Sequence, residues 1–247
     1  MRDDLIAAAR ADERMTGVAL TGSASLGRED RWSDIDLAFG VREASEMESV
    51  IADWTARMYA QHIALHHVDV RRDAWLYRVF LLSNSLQVDL AFAPQGQFGA
   101  RAPSFRLLAG TAAEPSHVAP PPAEELIAYA WLYGLHVRSA IARGKLWQAE
   151  YMVSNVRDYI LAAACRRHGL STAEGRGMDQ LPAAVTDPLR GAIVTRLDPQ
   201  EIVRAFGVAV DCLLDEARHT DAPLAGRLQP VLRDLLESTR AAVHASM

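Results

Sequence analysis

Apolar residues recur along this chain in two rhythms, and the change from one to the other divides it. Leu5, Ile6, Ala9 and Met15 have rough helical spacing ahead of a short apolar run, Gly17 to Leu20, that predicts a strand. A small-residue turn follows, Thr21-Gly22-Ser23-Ala24-Ser25-Leu26-Gly27, and then a second strand over Ile35 to Phe39. Met47, Val50, Ile51, Trp54 and Met58 recur at helical spacing and predict an amphipathic helix. Ile63 to Val70 predicts another strand. Trp75 to Leu82 and Leu86 to Phe92 flank Ser83-Asn84-Ser85, which predicts an antiparallel hairpin.

The pattern shifts after that. Pro94 to Pro122 is rich in Pro, Gly, Ala and Ser and ends in three consecutive prolines, which continue neither a helix nor a central strand. Long helical periodicities then dominate, over 123–143, 146–168, 183–196, 199–217 and 225–245, with Gly144 and Gly169 as stops. The expected fold class is α+β: an N-terminal α/β domain with a mixed sheet over residues 1–118, then an all-helical domain over 119–247.

Chemistry concentrates in Gly22-Ser23 and in Ser33-Asp34-Ile35-Asp36-Leu37. A strand ending in Gly-Ser lets backbone N–H groups and a hydroxyl approach phosphate oxygens, because glycine carries no side chain to block them. Strand side chains alternate faces, so Asp34 and Asp36 share one side while Ile35, Leu37 and Phe39 take the other. The apolar set can be buried only if the aspartates face a cleft or solvent. In Gln87-Val88-Asp89-Leu90-Ala91-Phe92, Asp89 alternates with apolar residues in the same way. If its strand neighbours that of Asp34 and Asp36, three carboxylates converge. Mg²⁺ suits such a set, because it takes one or two carboxylates and completes its shell with substrate phosphates and water. Two ions there could clamp both oxygens of an in-line displacement.

The pattern Gly-Ser-x-x-x-Gly, Ser-Asp-x-Asp and a later strand Asp, over roughly residues 17–92, resembles the nucleotidyltransferase superfamily related to DNA polymerase β. With a helical domain of this size behind it, the chain is similar to the antibiotic nucleotidyltransferases, which adenylylate aminoglycosides or lincosamides. The resemblance implies that Gly22 and Ser23 hold the triphosphate of ATP or another NTP, and that Asp34 and Asp36 bind Mg²⁺. Asp89 completes the metal site or takes the acceptor's proton. Some family members use a glutamate of the helical domain as base instead, and Glu150 is the candidate here. Arg28 and Ser33 are further nucleotide-binding candidates, and Lys145 and Arg157 are also available to neutralise phosphate charge.

Several rivals stand beside these assignments. Asp69, in His67-Val68-Asp69-Val70, alternates as Asp89 does, and only the motif favours Asp89. His62 and His66 are four apart, but their segment reads as a strand without a Cys or Glu partner, so surface histidines are expected rather than zinc. Trp131, Tyr133, Trp147 and Tyr151 are candidates to line an acceptor pocket, against the plainer expectation of core or interface aromatics.

Composition narrows the partners. Half of the residues are hydrophobic and 23% are charged, as in an ordinary globular protein. The net charge of -5 lacks the basic surplus that an extended nucleic acid demands, so a small-molecule acceptor is expected. The charged N-terminus, the absence of a long apolar run, and two cysteines without CxxC spacing, Cys165 and Cys212, predict a cytoplasmic protein with no membrane partner. Oligomeric state stays open, with a homodimer among the options. Two other functions stay open: transfer to a protein or a tRNA end, and a catalytically silent nucleotide-binding regulator.

Overall fold

The computed structural model describes residues 1–116 and 119–245, with side chains described through residue 243. Two compact units make up the chain, Met1–Val118 and Ala119–Met247, and the expected boundary at residue 118 itself lies outside the described residues. The architecture is α+β, a mixed β-sheet with helices followed by an all-helical region.

In the first unit the elements run α1 (Arg2–Ala11), β1 (Met15–Thr21), α2 (Gly22–Ser25), β2 (Ile35–Val41), α3 (Met47–Gln61), β3 (Ala64–Arg72), β4 (Trp75–Leu82), β5 (Gln87–Pro94) and β6 (Phe105–Gly110). The six strands form one sheet in the order β3-β4-β5-β2-β1-β6. Every neighbouring pair is antiparallel except β2 and β5. Alternation sorts the side chains onto two faces. Leu20, Leu37, Phe39, Val88, Leu90 and Phe92 point to one, where Leu5 of α1 and Val50, Trp54 and Met58 of α3 complete the main core. Phe39 lies 4.7 Å from Trp54 and 5.4 Å from Phe92 between ring centroids, in tilted contacts that add to the buried area. The opposite face carries small residues, Ala19, Ala38, Ala91 and Ala93, under Trp75 and Phe98.

Three details depart from the sequence expectations. The turn at Gly22 winds into the four-residue helix α2. Strand β6 lies inside the Pro/Gly-rich stretch and pairs with β1. The third helical periodicity, expected to reach 196, stops at Arg190, with Gly191, a poor helix former, as its C-cap.

The second unit consists of α4 (Ala123–Ala142), α5 (Leu146–Arg167), α6 (Ala183–Arg190), α7 (Pro199–Thr220) and α8 (Ala222–Ala245) around a main apolar core, with a smaller cluster at Ala164, Cys165 and Leu181. Helix α7 starts at Pro199, where the helical periodicity begins. Asp198 caps it by accepting from the Glu201 N–H at 2.8 Å, and Pro199 fills the first turn. Glu201 itself is buried and fully engaged, accepting from Thr195 at 2.7 Å through the hydroxyl and from Arg204 at 2.7 Å. Among the described residues no helix is long and apolar enough to cross a membrane.

Candidate metal centre

The parallel pairing of β2 with β5 builds the site. Their register sets Asp36 directly beside Asp89, flanked by the pairs Ile35–Val88 and Leu37–Leu90. Those apolar neighbours are committed to the main core, so both aspartates project from the opposite face. Asp34 stands just before β2 begins and joins them. Asp34, Asp36 and Asp89 are each half-buried, and each offers a carboxylate oxygen within 4.8 Å of the others.

So close a carboxylate cluster is electrostatically costly without a cation. The Asp89 carboxyl is pushed up to about 6: burial is the main cause, a hydrogen bond from Gln87 opposes it, and the Asp34 charge adds to it. Gln87, which the sequence reading did not single out, spans the gap. Its Nε2 donates to Asp89 Oδ1 at 3.0 Å and reaches Asp34 Oδ2 at 3.3 Å. The one available signal was its position, two residues before Asp89 on the same strand face.

The glycine turn presses against this cluster. Gly22 has φ +56, in the left-handed region, and a Cβ there would overlap the Asp36 carboxylate. The next residue, Ser23, has a buried hydroxyl with no hydrogen-bond partner, an unusual state for a polar atom unless a ligand meets it. The Ser23 carbonyl accepts from the Arg28 N–H at 3.0 Å, closing the loop, while the Arg28 side chain is exposed. Ser33 is occupied locally: its hydroxyl accepts from the Asp30 N–H at 2.9 Å and lies 3.2 Å from the Asp30 carboxylate, which shapes the approach to Asp34.

Other candidates fall elsewhere. Asp69 is bound by Arg78 at 2.7 Å through both carboxylate oxygens, and these hydrogen bonds hold its carboxyl below the ordinary range. It also lies on the other face, since its neighbour Val68 pairs with Val79, and Val79 pairs with Asp89. Glu150 lies on α5 in the second unit and accepts from the Ser154 hydroxyl at 2.7 Å. Arg157 pairs with the adjacent Asp158 at 2.8 Å. His62 ends α3, and His67 bonds the Tyr59 hydroxyl at 2.9 Å. Burial lowers the pKa of both histidines, and neither joins a metal-ligating group among the described residues.

The donor set is all oxygen and all anionic, which selects a hard divalent cation over zinc or copper. A glycine packed on Asp36, followed in the chain by a serine with an unsatisfied hydroxyl, fits a phosphate-bearing partner of the same cation. The residues present therefore fit Mg²⁺.

No family model matches the sequence, and no curated protein matches it. Among solved structures the chain is similar to an aminoglycoside 6-adenyltransferase from Bacillus subtilis, at 13% identity. That alignment covers 95% of this chain and 97% of the other, with a TM-score of 0.41.

Proposed function

We propose that this protein is a Mg²⁺-dependent nucleotidyltransferase that moves a nucleoside monophosphate from an NTP, with ATP the first choice, to a hydroxyl of a small molecule. The observation that carries the proposal is the meeting of Asp34, Asp36 and Asp89 beside the Gly22-Ser23 turn. Paired carboxylates alone are common on protein surfaces. Three carboxylates, two on paired strands and one just ahead of the first, beside a left-handed glycine followed by a serine with an unsatisfied hydroxyl, are the equipment that triphosphate chemistry needs.

Asp34 and Asp36 would hold the cation, with Asp89 completing the set. When bound, Mg²⁺ would supply charge neutralisation for the triphosphate and the departing pyrophosphate. The Ser23 hydroxyl and the Gly22 turn would receive phosphate oxygens, with Arg28 and Ser33 at the edge of the nucleotide. The acceptor hydroxyl loses its proton to Asp89 or to Glu150, its oxygen bonds to the α-phosphorus, and pyrophosphate leaves in line. Positioning and charge neutralisation carry most of the rate in such transfers, and a general base contributes roughly 10²–10⁴-fold.

The acceptor is proposed to be an aminoglycoside or lincosamide antibiotic. A net charge of -5 and a carboxylate-lined site favour a cationic acceptor over an extended nucleic acid. The test is a pyrophosphate-release screen of purified protein with ATP, GTP, CTP and UTP against aminoglycosides and lincosamides. Release that needs both Mg²⁺ and one of these acceptors supports the assignment. Release only with protein or tRNA ends moves it to those acceptors, and no release with any acceptor removes it.

A further inference from the structure

We propose that the cleft between α1 and β6, on the sheet face opposite the carboxylates, is a binding site for a polyphosphate anion. The cleft has a volume of about 380 Å³, and its lining includes Arg2, Asp3, Ile6 and Arg10 of α1, Arg106 and Leu108 of β6, and Leu20 of β1. That volume falls within the range of small-molecule sites, about 300–1,000 Å³.

Sequence spacing creates the arrangement. Arg2, Ile6 and Arg10 are four apart, so they form one stripe along α1. Arg106 and Leu108 alternate along β6 and share a face. Arg106 pairs in register with Leu20, whose side chain belongs to the main core beneath α1. The cleft therefore lies on the core side of the sheet, away from Asp36 and Asp89, and its existence does not depend on the proposed reaction.

Three guanidinium groups outnumber the one carboxylate, Asp3, which lies 3.9 Å from Arg2 Nε, so the cleft is locally cationic in a chain whose net charge is -5. Two are already steadied. Arg10 Nη2 donates to the Leu108 carbonyl at 3.2 Å, and Arg2 Nη1 meets Glu29 Oε1 at 2.5 Å. Arg106 has no carboxylate partner among the described residues. A guanidinium fork matches phosphate oxygens geometrically, and the apolar floor of Ile6, Leu20 and Leu108 strengthens each charge interaction. A polyphosphate has enough charge and oxygens to face three forks at once, whereas a single carboxylate does not.

Arg2 couples the cleft to the rest of the unit. Its partner Glu29 belongs to the loop between Gly27 and Asp34, so an anion that engages Arg2 competes with Glu29. Neutralising Glu29 should therefore tighten anion binding, while neutralising Arg106 weakens it.

The experiment is calorimetric titration of the full chain with inorganic pyrophosphate and, separately, ATP. EDTA is present throughout, so that no divalent ion bridges either anion to the carboxylates. Arg106→Gln is expected to weaken binding about tenfold and Glu29→Gln to strengthen it about threefold. The exposed controls Arg143→Gln and Glu124→Gln, which make the same charge changes on or beside α4, should bind like the wild type. Tighter binding of pyrophosphate marks the free anion as the occupant, and tighter binding of ATP marks a nucleotide. The proposal is overturned if neither anion binds saturably, or if Arg106→Gln and Glu29→Gln behave like their controls.

Discussion

Asp36 and Asp89 stand opposite each other in the parallel register of β2 and β5, although 52 positions (89 minus 36, less one) separate them in the chain. Their neighbours Ile35, Leu37, Val88 and Leu90 anchor the register from the other face, so the carboxylate pair is fixed by core packing rather than by loop geometry. Replacing Asp36 with Asn keeps the shape and removes a cation ligand. The expected outcome is a loss of transfer of at least roughly 100-fold with an unchanged circular dichroism spectrum.

Asp89 should show a trade between stability and chemistry. Its carboxyl titrates at about 6 rather than 3.8, so the metal-free fold holds a proton that the unfolded chain has already released. Stability from this group is therefore full below the ordinary carboxylate pKa and declines as pH rises from about 4 through about 6. At pH 7 in EDTA, Asp89→Asn is expected to stabilise the fold by about 1–2 kcal/mol, after allowance for partial solvent access. Thermal melts with and without Mg²⁺ check this. The wild type should gain stability from Mg²⁺, and the variant should gain little.

Gly22→Ala tests the turn. The substitution demands φ +56 from an alanine and drives its Cβ into the Asp36 carboxylate. A destabilisation of about 1–3 kcal/mol is expected, visible as a lower urea midpoint, together with weakened Mn²⁺ uptake.

In the helical unit, Glu201 provides a test that does not involve the carboxylate cluster. Hydrogen bonds from Arg204, then Thr195, hold its carboxyl far below the ordinary value of 4.5. A depressed pKa contributes stability above the unfolded value, and that stability is lost as pH falls below about 4.5 toward the folded value. Glu201→Ala should therefore cost about 2–3 kcal/mol at pH 7, and the difference from wild type should shrink in urea titrations at pH 3.

Much of this fold was legible because alternation and helical spacing are strong signals. The run Asp34-Ile35-Asp36-Leu37 announces a strand with one apolar face, and the helical periodicity from residue 199 announces α7. Strand β6 was hidden because Phe105 to Gly110 sits between prolines and glycines and shows little alternation. Its pairing with β1 is a long-range event that no local window contains. The adjacency of β2 and β5 was likewise conditional in the sequence, since their contact crosses α3, β3 and β4. Gln87 went unnoticed because an amide acquires meaning only when two carboxylates already flank it.

The most direct test of the central claim is Mn²⁺ uptake, followed by electron paramagnetic resonance, with ATP present and Mn²⁺ standing in for Mg²⁺. The wild type is predicted to bind Mn²⁺ saturably, and the Asp34→Asn, Asp36→Asn double variant to leave the free-ion signal unchanged. Equal uptake by the two proteins, or none by the wild type, would contradict the account.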